Sequence, residues 1–97
     1  MKDDQKQLRA IIHGHVQGVS FRYYTVQEAQ KLGITGWVRN EPDNTGQVVA
    51  EGSQEQLDAL IDFLHVGSPS ANIAEIYIDW HEATGKFSEF KTAYHHD

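Results

Sequence analysis

A chain of 97 residues has room for one hydrophobic core, and with 39% hydrophobic and 23% charged residues its composition excludes the disordered, collagenous and membrane-spanning classes. Against 14 Asp and Glu stand 8 Lys and Arg, so the formal net charge is −6, polyanions are repelled and nucleic acid is not an expected partner. The absence of cysteine excludes disulfides, thiolate metal sites and a cysteine nucleophile.

Met1 to Lys6 lack the run of ~7–15 apolar residues that a signal peptide needs, and no segment approaches the ~18 of a spanning helix. A cytoplasmic protein with no membrane partner is expected. Leu8, Ala10, Ile12 and Val16 then recur with period two, with Arg9, His13 and His15 on the opposite face, the pattern of a half-buried strand. Phe21 to Leu32 suit a helix with Ser20 as N-cap, Gly33 just past the end, and Phe21, Thr25, Ala29 and Leu32 on the inner side.

Ile34 to Arg39 form a short β-rich stretch, and Glu41 through Pro42-Asp43-Asn44-Thr45-Gly46 are dense in turn formers before Val48-Val49, which reads as a hairpin. Ser53 and Gln56 make a capping box for a second helix, on which Leu57, Leu60, Ile61 and Leu64 fall at helical spacing up to Gly67. After the loop Gly67-Ser68-Pro69-Ser70, Ile76, Ile78 and Trp80 alternate with Tyr77 and Asp79 as a strand. A last short strand is expected around Phe87 to Tyr94, beyond a turn at Thr84-Gly85. The order βαββαβ plus a short extra β predicts one α+β domain over 1–97, a split βαβ sandwich with two helices on one face of a mostly antiparallel sheet.

Chemistry concentrates in Gly14-His15-Val16-Gln17-Gly18-Val19-Ser20-Phe21-Arg22, between the first strand and the first helix. Its two glycines permit torsions that turn successive N–H groups toward one point, the following helix adds unpaired N–H groups, and Arg22 offers a planar fork. An anion such as phosphate suits this set. The spacing lacks the Gly-Lys-Ser/Thr of a nucleotide loop and the third glycine of a dinucleotide fingerprint. On glycine spacing alone, a tight strand-to-helix turn with a surface arginine is the better reading.

A second stretch, Gly36-Trp37-Val38-Arg39-Asn40, changes that balance. Together the two stretches closely resemble the signature motifs of the acylphosphatase family, and the likeness extends over nearly the whole chain, including Ala50-Glu51-Gly52 before the second helix. The resemblance implies a ferredoxin-like fold and metal-free hydrolysis of carboxyl-phosphate anhydrides, with no cofactor. It implies Arg22 as the phosphate-binding arginine, Asn40 as the residue that orients water, and the backbone of His15, Val16, Gln17, Gly18, Val19, Ser20 and Phe21 as the cradle. Ser20 stands where many members have glycine. The expected partners are a small acyl phosphate and inorganic phosphate, and a monomer is expected.

The chemistry agrees. An acyl phosphate expels a carboxylate whose conjugate acid has a pKa near ~4, so no general acid is needed, and phosphoryl transfer asks mainly for positioning and charge stabilisation. A competing reading is a non-catalytic anion-binding module on the same fold. A third is a relative of the domain that handles carbamoyl phosphate within larger maturation enzymes, disfavoured because the chain ends at Asp97.

Other residues receive plainer readings. His13 and His15 share a face but lack a third metal ligand, and His81, His95 and His96 are expected at the surface, the last two in a fraying terminus. Arg39 is expected to be an ordinary exposed arginine, with a secondary substrate contact as the alternative. Trp37, Tyr77, Trp80 and Phe90 read as core or edge residues, not as a base-stacking platform, because basic residues are scarce. Glu55, Asp58 and Asp62 read as a solvated helix face.

Overall fold

The computed structural model describes residues 4–94. In chain order the elements are β1 (Lys6–His15), α1 (Phe21–Leu32), β2 (Thr35–Asn40), β3 (Gly46–Gly52), α2 (Gln54–Val66), β4 (Asn72–Glu82) and β5 (Phe90–Thr92). One five-stranded sheet runs β4-β1-β3-β2-β5. The pairs β1–β3, β1–β4 and β2–β3 are antiparallel, while β5 joins β2 in parallel. The α+β sandwich read from the sequence is therefore present, with the extra strand at one edge. No helix among the described residues is long and apolar enough to cross a membrane.

Two boundaries differ from the sequence reading. The second strand starts at Thr35 and ends on Asn40, one residue later than expected at each end. The last strand shrinks to Phe90–Thr92, because its partners on β2 are only Gly36, Trp37 and Val38. His95 and His96 lie outside the described residues.

Register decides which residues meet the helices. Leu8, Ala10 and Ile12 of β1, Val48 and Ala50 of β3, and Val38 of β2 are all fully buried beneath them. Phe21 and Ala29 from α1, Leu57, Leu60 and Leu64 from α2, and Phe90 close the core. Each fully buried Leu, Ile or Phe stabilises the fold by about 1.5–3 kcal/mol relative to exposure. Leu32 and Ile61, expected inside, are half-buried at the rim of this cluster. Val16 is buried, yet it lies past the end of β1, after a register shift between His13 and Gly14, so it enters the core from the loop and not by strand alternation.

The Ser53–Gln56 capping box forms in both directions: Ser53 Oγ accepts from the Gln56 N–H at 3.1 Å, and Gln56 Oε1 accepts from the Ser53 N–H at 2.8 Å. Glu55, Asp58 and Asp62 are exposed, and Tyr77 and Trp80 are exposed on the edge strand β4.

On the uncovered face, Glu51 is 4% exposed and ties the 84–85 turn to the sheet. Its carboxylate accepts from the Gln7 amide at 2.7 Å, from the N–H and hydroxyl of Thr84, each at 2.9 Å, and from the Gly85 N–H at 3.0 Å. Burial pushes its pKa up, but the donors from Thr84, Gln7 and Gly85 outweigh burial and hold it below the usual glutamate value. A depressed folded-state pKa adds stability above the unfolded pKa, and that stability is lost as pH falls through the folded value. Glu51→Gln is accordingly expected to cost about 1.5–3 kcal/mol at neutral pH, with the gap from wild type closing below pH ~4. Thermal unfolding across pH checks this, and equal stability of the two proteins at pH 7 would remove Glu51 from the account.

Candidate active site

The chain turns from β1 into α1 through three left-handed or near-mirror torsions: Gly14 at φ 138°, Gly18 at φ 77° and Ser20 at φ 62°. Gly14 is required by space as well as torsion, since a Cβ there would stand 2.1 Å from the Asn72 carbonyl oxygen, whereas a Cβ at Gly18 would meet nothing within 4 Å. Ser20 holds the N-cap position of α1 but makes no side-chain cap. An N-cap oxygen reaches the first-turn N–H groups from extended torsions, and Ser20 is left-handed. Ser53 shows the contrast, capping α2 from φ −74° and ψ 163°. The first turn of α1 thus keeps N–H groups that no side chain of its cap satisfies, and it carries no acidic residue, a favourable setting for an anion.

Inward-facing side chains hold this loop. Val16 and Phe21 are 1% exposed. The Gln17 amide donates to the carbonyls of Glu41 at 2.8 Å and Thr45 at 3.1 Å, pinning the loop to the β2–β3 hairpin. From the other side the Ser68 hydroxyl, itself buried, donates to the Val19 carbonyl at 2.7 Å. His15, Gly18 and Ser20 are exposed. The anchors therefore point into the protein and leave the curve of backbone facing out.

Arg22 emerges from the first turn of α1, half-buried, with its guanidinium 5.6 Å from the centre of the Tyr94 ring. It lines a depression of about 320 Å3 together with Gly18, Ser20, Tyr23, Val26 and Tyr94. Volume alone does not select this place: a depression of about 790 Å3 beside Lys6, Trp80 and Thr84 holds no comparable donor set.

Asn40 reaches the same neighbourhood through register. It ends β2 opposite Gly46 and shares the parity of Val38, whose side chain is fully buried under the helices. A Cβ on Gly46 would lie 3.4 Å from the Phe21 ring and 3.7 Å from the Val16 side chain, so Asn40 leaves the sheet on the face where the loop anchors pack. Its Oδ1 is buried and has no hydrogen-bond partner among the described residues. Thr25 Oγ1, one turn along α1 from Phe21, shares that condition. Leaving such an acceptor unpaired costs about 1–3 kcal/mol, so the position invites a donor from outside the protein.

The hairpin that carries Asn40 is braced at its tip. Asn44 is left-handed at φ 72°, the Glu41 N–H donates to the Thr45 carbonyl at 2.9 Å, and Asp43 Oδ1 accepts from the Thr45 hydroxyl at 2.6 Å and its N–H at 3.1 Å. Those donors, the hydroxyl first, hold the Asp43 carboxyl below its ordinary pKa.

Arg39 departs from the expectation of an ordinary exposed arginine. It is half-buried, pairs with Glu41 at 2.6 Å and stacks 4.6 Å from the Trp37 ring, because its parity turns it to the uncovered face, opposite Asn40. It is not brought to the loop. His13 makes an edge contact with Tyr77 at 5.2 Å, His15 and His81 are exposed, and among the described residues no group of three or more His, Cys, Asp or Glu gathers to hold a metal. The bracing by Gln17 and Ser68 and the wall formed by Tyr94 were not read from the sequence. Ser68 had a faint signal, a hydroxyl beside Gly67 in a loop next to the core.

Similarity to known proteins extends over most of the chain. A family model described as Acylphosphatase matches residues 8–92. A protein named acylphosphatase from Acaryochloris marina is 44% identical over 84 residues, which are 87% of this chain and 89% of the relative. One of the same name from Thermococcus kodakarensis is 47% identical over 74 residues, 76% of this chain and 81% of the relative. The crystal structure of acylphosphatase from Bacillus subtilis superposes with a TM-score of 0.89 at 32% identity, covering 92% of this chain and 99% of that one.

Proposed function

The chain belongs to the acylphosphatase family, hydrolases of acyl phosphates, and from this premise we propose that the loop of residues 15–21 with Arg22 and Asn40 is its active site. The observation that carries the reading is the Asn40 Oδ1, buried and without a partner among the described residues, beside a loop whose backbone N–H groups and arginine suit a phosphoryl group. In this mechanism the N–H groups of the loop and of the first turn of α1 bind the phosphoryl oxygens. Arg22 adds a charge-assisted fork that follows the oxygens as the transition state spreads its charge over them.

Asn40 accepts a hydrogen bond from the attacking water through Oδ1 and holds the water in line with the bond to be broken. The water oxygen forms its bond to phosphorus while the bond to the acyl oxygen breaks. The carboxylate leaves with the bonding pair, and the water's proton passes to the phosphate product or to solvent. A leaving group whose conjugate acid has a pKa near ~4 departs unprotonated, so neither a general acid nor a Lewis acid is demanded by the chemistry. An alkoxide from a phosphomonoester is far more basic, and none of the described residues lining the depression carries a carboxyl or imidazole group to protonate it.

Residues 1–97 are read as one such domain, acting as a cytoplasmic monomer on small acyl phosphates and releasing inorganic phosphate. Benzoyl phosphate hydrolysis in excess EDTA tests the chemistry: turnover is expected to persist, and inorganic phosphate to inhibit competitively. Activity lost on chelation and restored by one divalent ion would overturn the mechanism, and purely noncompetitive inhibition would put the anion elsewhere.

A further inference from the structure

We infer that Tyr94, with Tyr23 and Val26, forms an acyl-binding wall that selects acyl phosphates with an aromatic or bulky apolar acyl group; this rests on the assignment of the loop and Arg22 to the phosphoryl group. The depression around Arg22 measures about 320 Å3. A phosphoryl group is the size of two or three water molecules, each taking roughly 30 Å3 in the liquid, and fills a fraction of such a space. The remainder is bounded by Tyr23, Val26, Thr92 and Tyr94.

Neither tyrosine is there for the core, which Phe21 and Phe90 fill: Tyr23 is 60% exposed and Tyr94 61% exposed. Tyr23 is steadied by an edge contact with Tyr24 at 5.4 Å between ring centres, and Tyr94 by the Arg22 guanidinium at 5.6 Å. Two braced, solvent-facing rings beside the phosphoryl position form a surface on which a flat acyl group buries area at small entropic cost.

Charge sharpens the selection. Among the described residues lining the depression, Arg22 alone is charged, and it is engaged by the phosphoryl group. A second phosphate or carboxylate on the acyl side would be brought against an uncharged wall in which no described residue supplies a second cation, on a chain of net charge −6.

The experiment compares kcat/KM for benzoyl phosphate and acetyl phosphate in the wild type, Tyr94→Ala and Tyr94→Phe. Taking each variant's ratio relative to wild type cancels the intrinsic reactivities of the two substrates. Tyr94→Ala is expected to lower the benzoyl-to-acetyl ratio about tenfold, mainly through KM, and Tyr94→Phe to restore it to within about twofold. An unchanged ratio would overturn the proposal. Equal losses on both substrates with weakened phosphate inhibition would overturn it too, making Tyr94 a positioning residue for Arg22. A wild type that hydrolyses neither substrate would instead sink the assignment of the activity itself, and this proposal with it.

Discussion

Asn40→Ala is expected to lower kcat by roughly 10²-fold or more while the inhibition constant of inorganic phosphate changes little. The reason is the division of labour at the site. In the proposed mechanism the loop N–H groups and Arg22 would meet the phosphoryl oxygens in ground and transition states alike, whereas Asn40 Oδ1, buried without a partner among the described residues, would meet only the water. Removing one preorganised polar group from a reaction's transition state costs about 10²–10³ in kcat. The substitution also deletes an unsatisfied buried acceptor, so the fold should be no less stable, and a loss of turnover cannot be blamed on unfolding. Asn40→Asp should fail for a different reason, because a carboxylate repels the incoming phosphate. Near-normal kcat in folded Asn40→Ala would take Asn40 out of the mechanism, and collapsed phosphate affinity would make it a binding residue.

Arg22→Ala should damage both steps. It removes the one charged side chain among the described residues lining the depression, so phosphate inhibition weakens and kcat/KM falls by about 10²–10³-fold. Arg22→Lys should recover little of the loss, since an ammonium is a point charge and cannot present a planar pair of donors to two oxygens. Normal phosphate affinity and turnover in Arg22→Ala would show that the anion binds elsewhere. The two variants also test each other: Arg22 should show itself in binding and rate, Asn40 in rate alone.

The two serine caps show what could be read from the sequence. Ser53 with Gln56 is a local device, satisfied within four consecutive residues, and it forms as its spacing predicts. Ser20 has an equally suitable side chain, but closing the loop over Val16 and Phe21 sets its torsion, and a left-handed residue cannot cap. The helix and the free N–H groups at its start are legible in the sequence, and the failure of Ser20 to cap them is not. Likewise the β-branched and aromatic residues of 34–39 identify β2, yet only the pairing of Asn40 with Gly46 against the Phe21 ring brings Asn40 toward the loop, and such register is non-local. Arg39 is half-buried where strand alternation suggests exposure, because Glu41, with which it pairs, lies past the strand end, where alternation no longer informs. Glu51 carried no local signal at all, since its partners come from β1 and from a turn that closes near the end of the chain.

The inward turn of the loop's anchoring side chains bears on how such a site can change over time. The side chains of Val16, Gln17 and Phe21 and the carbonyl of Val19 are spent on the scaffold, and beside Arg22 the surface that the proposed site would offer a phosphoryl group is peptide backbone. Peptide N–H groups are the same whatever residue bears them, so drift at the exposed position His15 leaves the ligand-facing atoms chemically unaltered as long as the curve holds. Substitutions that matter are those that reshape the curve, at Gly14, Gly18, Ser20 or an anchor, and they act all at once on every donor. Phosphate affinity is therefore hard to tune by small steps, and innovation in what the enzyme accepts is left to the neighbouring wall, where one side chain can change without disturbing the rest.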